Sequence, residues 1–189
     1  MNQQDFLLEC GRSYLDVLAA MGYFRAVVQE RCGRVVGKHK AVLAGVLGVK
    51  VDDLKWSPYA KPDKPSSAAV ESAWLGWQAK RKEDLYLHFY VGWDSEPDED
   101  ELPLNVEVDL WLKDRKKASD LAARLDDRCD QPPFAEQPWK FGSDGQTLSF
   151  WLGLEENEFS RFGEKLDQLL VFIIPFLRSV KNIQGYFLP

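Results

Sequence analysis

Histidine and cysteine are scarce in this chain, with two of the first and three of the second among 189 residues. Cys10, Cys32 and Cys129 stand far apart without a Cys-x-x-Cys pair, and His39 and His88 add no ligand spacing, so no metal site and no cofactor are expected. An odd number of cysteines and the lack of a basic segment ahead of an apolar stretch at the amino terminus suit a cytoplasmic protein. Long hydrophobic runs are missing too. The longest, Leu169 to Leu177, is nine residues and contains Pro175, whereas a membrane helix needs about 20, so the pattern predicts a buried helix segment and no membrane partner.

Catalytic motifs are also missing. The sequence has no G-x-S-x-G elbow, Walker loop, G-x-G-x-x-G fingerprint or H-E-x-x-H helix. Metal-dependent nucleases of the restriction-endonuclease type place an acid and then acid-x-Lys on adjacent strands, but Glu107-Val108-Asp109 has Asp where Lys is needed, so that function is not carried over. The acidic stretch 94–101 lacks the Asp-x-Asp-x-Asp-Gly spacing of calcium loops.

Aromatic residues, by contrast, are plentiful. Seven Trp, eleven Phe and six Tyr in a chain of 45% apolar composition supply too much apolar surface for a disordered protein. A chain of this length buries roughly 70% of its unfolded surface and needs no disulfide to hold a core.

Hydrophobic periodicity predicts an α+β fold: an N-terminal helical pair, then a mainly antiparallel sheet of about five strands packed against two helices. Phe6, Cys10, Tyr14, Val17, Leu18 and Met21 recur at helical spacing up to Gly22, and a second helix is expected from Tyr23 to Leu47, bent near Gly33 or Gly37. The organisation read from this is a helical region at 1–50, a Pro/Ser-containing linker or loop at 51–69 and an α+β domain at 70–189, or one compact unit of the first and last.

The period changes to two at about Ala73. Leu85, Leu87, Phe89, Val91 and Trp93 alternate with polar or aromatic residues, as do Leu104, Val106, Val108, Leu110 and Leu112. A hairpin centred on the acidic loop sets Trp93 opposite Leu104, Val91 opposite Val106, Phe89 opposite Val108 and Leu87 opposite Leu110, collecting the aliphatic residues on one face. The other face then pairs Tyr90 with Glu107, His88 with Asp109 and Tyr86 with Trp111. Joining the preceding strand, Ala73 to Lys80, through an Arg81–Asp84 turn adds Leu75 and Trp77 to this second face. Later elements are a helix bearing Ala118, Leu121, Ala122 and Leu125, a hairpin of Trp139–Phe141 with Thr147–Leu154 around Gly142-Ser143-Asp144-Gly145, and a last helix capped by Asn157 and kinked at Pro175.

Two surfaces emerge as binding candidates: the aromatic sheet face with Trp77, Tyr86, Tyr90 and Trp111, and the acidic loop with Asp94, Glu96, Asp98, Glu99, Asp100 and Glu101, six carboxylates in eight residues. Trp and Tyr are preferred anchors at interfaces, so the expected partner is another protein and the expected role that of a non-catalytic inhibitor, immunity-type protein or adaptor. A small hydrolytic enzyme built on His88, Glu107 and Asp109 is the alternative, since a carboxylate beside an imidazole orients it for proton transfer. Nucleic-acid binding through Arg25, Arg31, Arg34, Lys38, His39 and Lys40 is the weaker alternative. Residues 1–50 carry seven Lys+Arg against four Asp+Glu, but the chain as a whole is at −6 and repels a polyanion.

Overall fold

A computed structural model describes residues 3–60, 72–94, 102 and 104–188, with the backbone alone at 3–19, 21, 60, 72–74, 93, 94 and 156. The chain begins with helix α1 (Gln3–Leu47), continues through strands β1 (Lys55–Ala60), β2 (Ser72–Arg81), β3 (Leu85–Asp94) and β4 (Leu104–Leu112), and crosses by α2 (Arg115–Cys129) to β5 (Lys140–Asp144) and β6 (Thr147–Leu154). It ends with α3 (Phe162–Arg178) and the short α4 (Gln184–Phe187). The six strands form one antiparallel sheet in the order β1-β2-β3-β4-β6-β5. This is the expected α+β class, with one strand more than foreseen and one N-terminal helix in place of two.

The single helix has a physical reason. Gly22, Gly33 and Gly37 each cost a helix about 1 kcal/mol relative to Ala, yet none ends it, because no proline occurs before Pro58 and the left-handed stop is supplied only by Gly48 at φ 69°. There the Val49 N–H donates to the Ala44 carbonyl at 3.0 Å and the Gly48 N–H to that of Gly45 at 3.3 Å, the crossed pair that closes a helix C-terminus. Gly33 is used for close approach, since a Cβ there would lie 3.0 Å from the Trp77 ring. From Val28 onward α1 buries Val28, Cys32, Val35, Val36, Leu43, Ala44, Val46 and Leu47, whereas residues 22–26 are exposed, Tyr23 by 76%. The helix is ~67 Å long at 1.5 Å per residue, and from Val28 to its end it is anchored in the core.

β1 occupies part of the segment expected to be linker. Its Pro58 has no N–H to give, which an edge strand tolerates, and β1 pairs on one side only, with β2. The β3–β4 register is the expected one throughout: Trp93 with Leu104, Val91 with Val106, Phe89 with Val108, Leu87 with Leu110. Leu85, Leu87, Phe89, Val106, Val108, Leu110, Leu148 and Phe150 are all 2% exposed or less and form one cluster with α1, α2 and α3. All three helices thus cover the same sheet face.

α2 begins where Asp114 accepts hydrogen bonds from the Lys116 and Lys117 amides, and it buries the foreseen Ala118, Leu121 and Leu125. In the β5–β6 hairpin the first strand continues past the expected end at Phe141 to Asp144, which leaves a two-residue loop, Gly145-Gln146, with Gly145 at φ 59°. Asn157 lies inside a 3-10 turn, Glu156–Arg161, and the last helix starts only at Phe162. α3 runs through Pro175 to Arg178 and packs against α1 and the sheet, leaving Val171 54% exposed. Ile173 is 1% exposed in the middle of it.

Replacing Ile173 with Asp places an unpaired charge in this core, a cost above ~4 kcal/mol. The variant should be insoluble or lack a cooperative urea transition; a soluble, cooperatively unfolding Ile173→Asp protein would show α3 to be peripheral.

Candidate functional site

The face of the sheet turned away from the helices is built by the same pleat that forms the core. On β3 it carries Tyr86, His88 and Tyr90, on β4 Glu107, Asp109 and Trp111, on β6 Ser149 and Trp151, on β2 Gln78 and on β1 Ser57 and Tyr59. Directly opposed across β3 and β4 are Tyr90 with Glu107, His88 with Asp109 and Tyr86 with Trp111, as the alternation predicts. Trp77 departs from expectation. It stands opposite Phe89 on the core face, against Gly33 of α1, because Arg81 still pairs with Leu85 and the connecting turn is three residues, not four. A change of one residue in turn length reverses every side chain of a strand, so Trp77 and Leu75 are core-side residues.

Tyr59 reaches the centre of this face through a gap in β2. It pairs with Gly76, which in turn pairs with Tyr90, and with no side chain between them the Tyr59 ring lies across to His88 at 4.4 Å and to Tyr90 at 6.1 Å between centroids. Gly76 is also required by its own backbone: a Cβ there would stand 1.9 Å from the Phe89 carbonyl oxygen and 2.6 Å from the Tyr90 Cα. Tyr86 meets Trp111 edge to face at 5.1 Å. His88 thus sits in a row of rings, between Tyr59, Tyr86 and Tyr90.

Asp109 organises the polar part. Its carboxylate accepts from the Tyr90 hydroxyl, a diagonal contact across the pair, and from Ser149 Oγ at 2.6 Å on the next strand. Burial pushes the Tyr90 phenol up from its ordinary value, and the negative charge of Asp109 adds to the shift; the Tyr59 phenol is raised for the same two reasons. Gln78 donates to Ser57 Oγ at 3.0 Å, closing the β1 side. Tyr59, Ser57, Ser149 and Trp151 belong to this face without having been singled out in the sequence. Tyr59 fell in a segment read as linker, and the place of β6 beside β4 depends on a crossover that alternation alone does not reveal.

The other sequence candidates lie elsewhere. Glu96, Asp98, Glu99, Asp100 and Glu101 are outside the described residues, and only the backbone of Asp94 is described, paired with Ser72 at the end of β3. The basic stretch of α1 is exposed at Arg25, Arg31, Arg34 and Lys38 and half-buried at His39 and Lys40, and most of it is engaged within the chain. Arg31 donates to the Ser160 carbonyl at 2.8 Å, His39 bonds Asp167 at 2.8 Å, Lys38 pairs with the same carboxylate at 3.5 Å, and Lys40 lies over the Trp56 ring. Partial burial would raise the Asp167 carboxyl, but the hydrogen bond from His39 and the Lys38 charge outweigh it and hold it below the ordinary range. Burial pushes the Cys32 thiol up to about 12 and, with Asp126 and Asp130 nearby, the Cys129 thiol up to about 11, so neither is a ready nucleophile. Among the described residues no group of three His, Cys, Asp or Glu is gathered to hold a metal ion, and no helix is long and apolar enough to cross a membrane.

No protein-family model, curated protein or solved structure matches this chain. The geometry alone therefore carries the functional argument.

Two linked expectations test the network. Tyr90→Phe removes one of the two donors to the half-buried Asp109 carboxylate and should cost about 1–3 kcal/mol in urea unfolding. Because the Tyr90 and Tyr59 phenols hold their protons more tightly folded than unfolded, stability is fully present below about pH 10 and is lost as pH rises beyond it. The alkaline decline should be shallower in Tyr90→Phe; an unchanged slope would show that Tyr90 does not titrate differently in the two states. Gly76→Ala should lower the melting temperature, since the new methyl meets backbone that only a shift of β3 can clear; an unaltered melting curve would mean the strands part without cost.

Proposed function

We propose that this chain is a non-catalytic protein-binding module of the cytosol, acting as an inhibitor, immunity-type protein or adaptor, and that it engages its partner through the ring-rich sheet face. The observation that carries this reading is a sheet with three helices on one face and, among the described residues, no helix on the other, where Tyr59, Tyr86, Trp111 and Trp151 are half-buried, neither sealed nor fully solvated. Tyr and Trp present large, rigid contact area with few torsions to freeze, which is why they dominate binding hot spots. The Asp109 carboxylate, which a hydrolytic reading needs beside His88, is engaged by Tyr90 and Ser149 and so serves to hold the face in one shape. The six carboxylates of 94–101, from the last residue of β3 onward, form a second contact element in this proposal.

The test uses the immobilised full chain in lysate of its source cell, with proteins identified by mass spectrometry. Wild type should retain a discrete protein, and Tyr86→Ser combined with Trp111→Ser should reduce its recovery at least about tenfold, the effect of losing a hot-spot pair, at a temperature where circular dichroism shows the variant still folded. The comparison is Val171→Ser on the exposed side of α3, which should bind as wild type does. Equal loss in both variants, or none in either, would overturn the assignment of this face.

A further inference from the structure

Charge on this chain is distributed unevenly, and the imbalance has a location. The β2–β3 turn and the β4–α2 connection meet at one end of the sheet, where the Lys113 N–H donates to the Asp84 carbonyl at 3.0 Å. Residues 80–84 and 113–117 together hold Lys80, Arg81, Lys82, Lys113, Arg115, Lys116 and Lys117 against Glu83, Asp84 and Asp114, seven cations to three carboxylates and a balance of +4. The chain totals −6, so the remainder stands at −10. Asp84 is itself neutralised by a two-pronged contact from Arg81 at 3.1 Å and 3.1 Å. Lys80, Lys82 and Lys113 form no ion pair among the described residues, in contrast to Arg34, Lys38, Arg161 and Lys165.

These three lysines line one open cleft of about 640 Å³ together with Glu83, Asp84 and Tyr86. The cleft opens onto the ring-rich face, since Lys80 pairs with Tyr86 and Tyr86 with Trp111 across three adjacent strands. We propose that the cleft binds an acidic polypeptide segment of the protein partner, its carboxylates on Lys80, Lys82 and Lys113 and an apolar side chain against Tyr86. The inference rests on the protein-binding reading above and adds the chemistry of the ligand. One feature favours a short acidic peptide over nucleic acid: a phosphate chain longer than the cleft runs into a surface of opposite balance and is repelled.

The test is fluorescence anisotropy with a fluorescein-labelled octaglutamate peptide at about 50 mM salt, where screening is moderate. Wild type should bind, with affinity falling as salt rises. The triple variant Lys80→Ala, Lys82→Ala, Lys113→Ala should bind at least about tenfold more weakly while keeping its melting temperature. A second triple variant, Arg25→Ala, Arg34→Ala, Lys181→Ala, removes the same net charge from exposed positions elsewhere and should stay within about twofold of wild type. Absence of binding by wild type, equal weakening in the two triples, or tighter binding of an eight-residue oligothymidylate would each overturn the proposal. If octaglutamate fails while the Tyr86/Trp111 variant still loses its recovered partner, the acidic ligand falls and the protein-binding face stands.

Discussion

Everything in this structure depends on the two-residue alternation of β3 and β4 and on the hydrophobic penalty for breaking it. Burying Leu87, Phe89, Val108 or Leu110 is worth about 1.5–3 kcal/mol each, and a slip of one residue along either strand would turn its whole set to water. The register is therefore fixed by the core. The opposite face has no choice but to follow, so Tyr86, His88 and Tyr90 line up against Trp111, Asp109 and Glu107 as a by-product of packing α1 and α3 on the other side. The candidate site inherits its precision from aliphatic residues that never touch a ligand.

That dependence explains what was legible in the sequence. The β3–β4 pairs could be read from side-chain type alone because both faces of both strands carry unambiguous residues over four or more repeats. Trp77 could not be read correctly, because its face is set by whether the preceding turn holds three residues or four, and tryptophan suits either face. β1 was hidden by Pro58 and by the proline- and serine-rich segment after it, a composition that marks loops in general but also suits one edge strand. The continuity of α1 was missed since Gly22 resembles a stop and Gly33 and Gly37 resemble bends. The helix ends instead at Gly48, and the reason for Gly33 is tertiary: it lies against the Trp77 ring, a contact that joins residues 44 positions apart and leaves no local trace.

Charge was legible as a total and misleading as a location. The cations singled out in the sequence sit on α1, yet Arg31, Lys38, His39 and Lys40 are drawn toward the Glu156–Arg161 turn, α3 and Trp56, where they join the helix to the rest of the fold. The unpaired cations are shared between two turns more than thirty residues apart, and only strand pairing brings them to one end of the sheet. A run of charge along a helix is visible because it is continuous; a patch assembled by topology is invisible until the topology is known.

The two features that make the sheet face specific are both subtractions. At Gly76 a missing side chain lets Tyr59 cross from the edge strand to stack on His88. Around Asp109 the hydroxyls of Tyr90 and Ser149 take up hydrogen-bonding capacity that would otherwise face solvent in several orientations. Each removes alternative conformations from the unliganded face, and a surface that is already ordered has less side-chain entropy to lose when a partner arrives. Rigidity of this kind favours recognition of one complementary shape. Tyr59 and Tyr86, held against His88 and Trp111, would therefore meet a partner in the proposed binding role with little left to freeze.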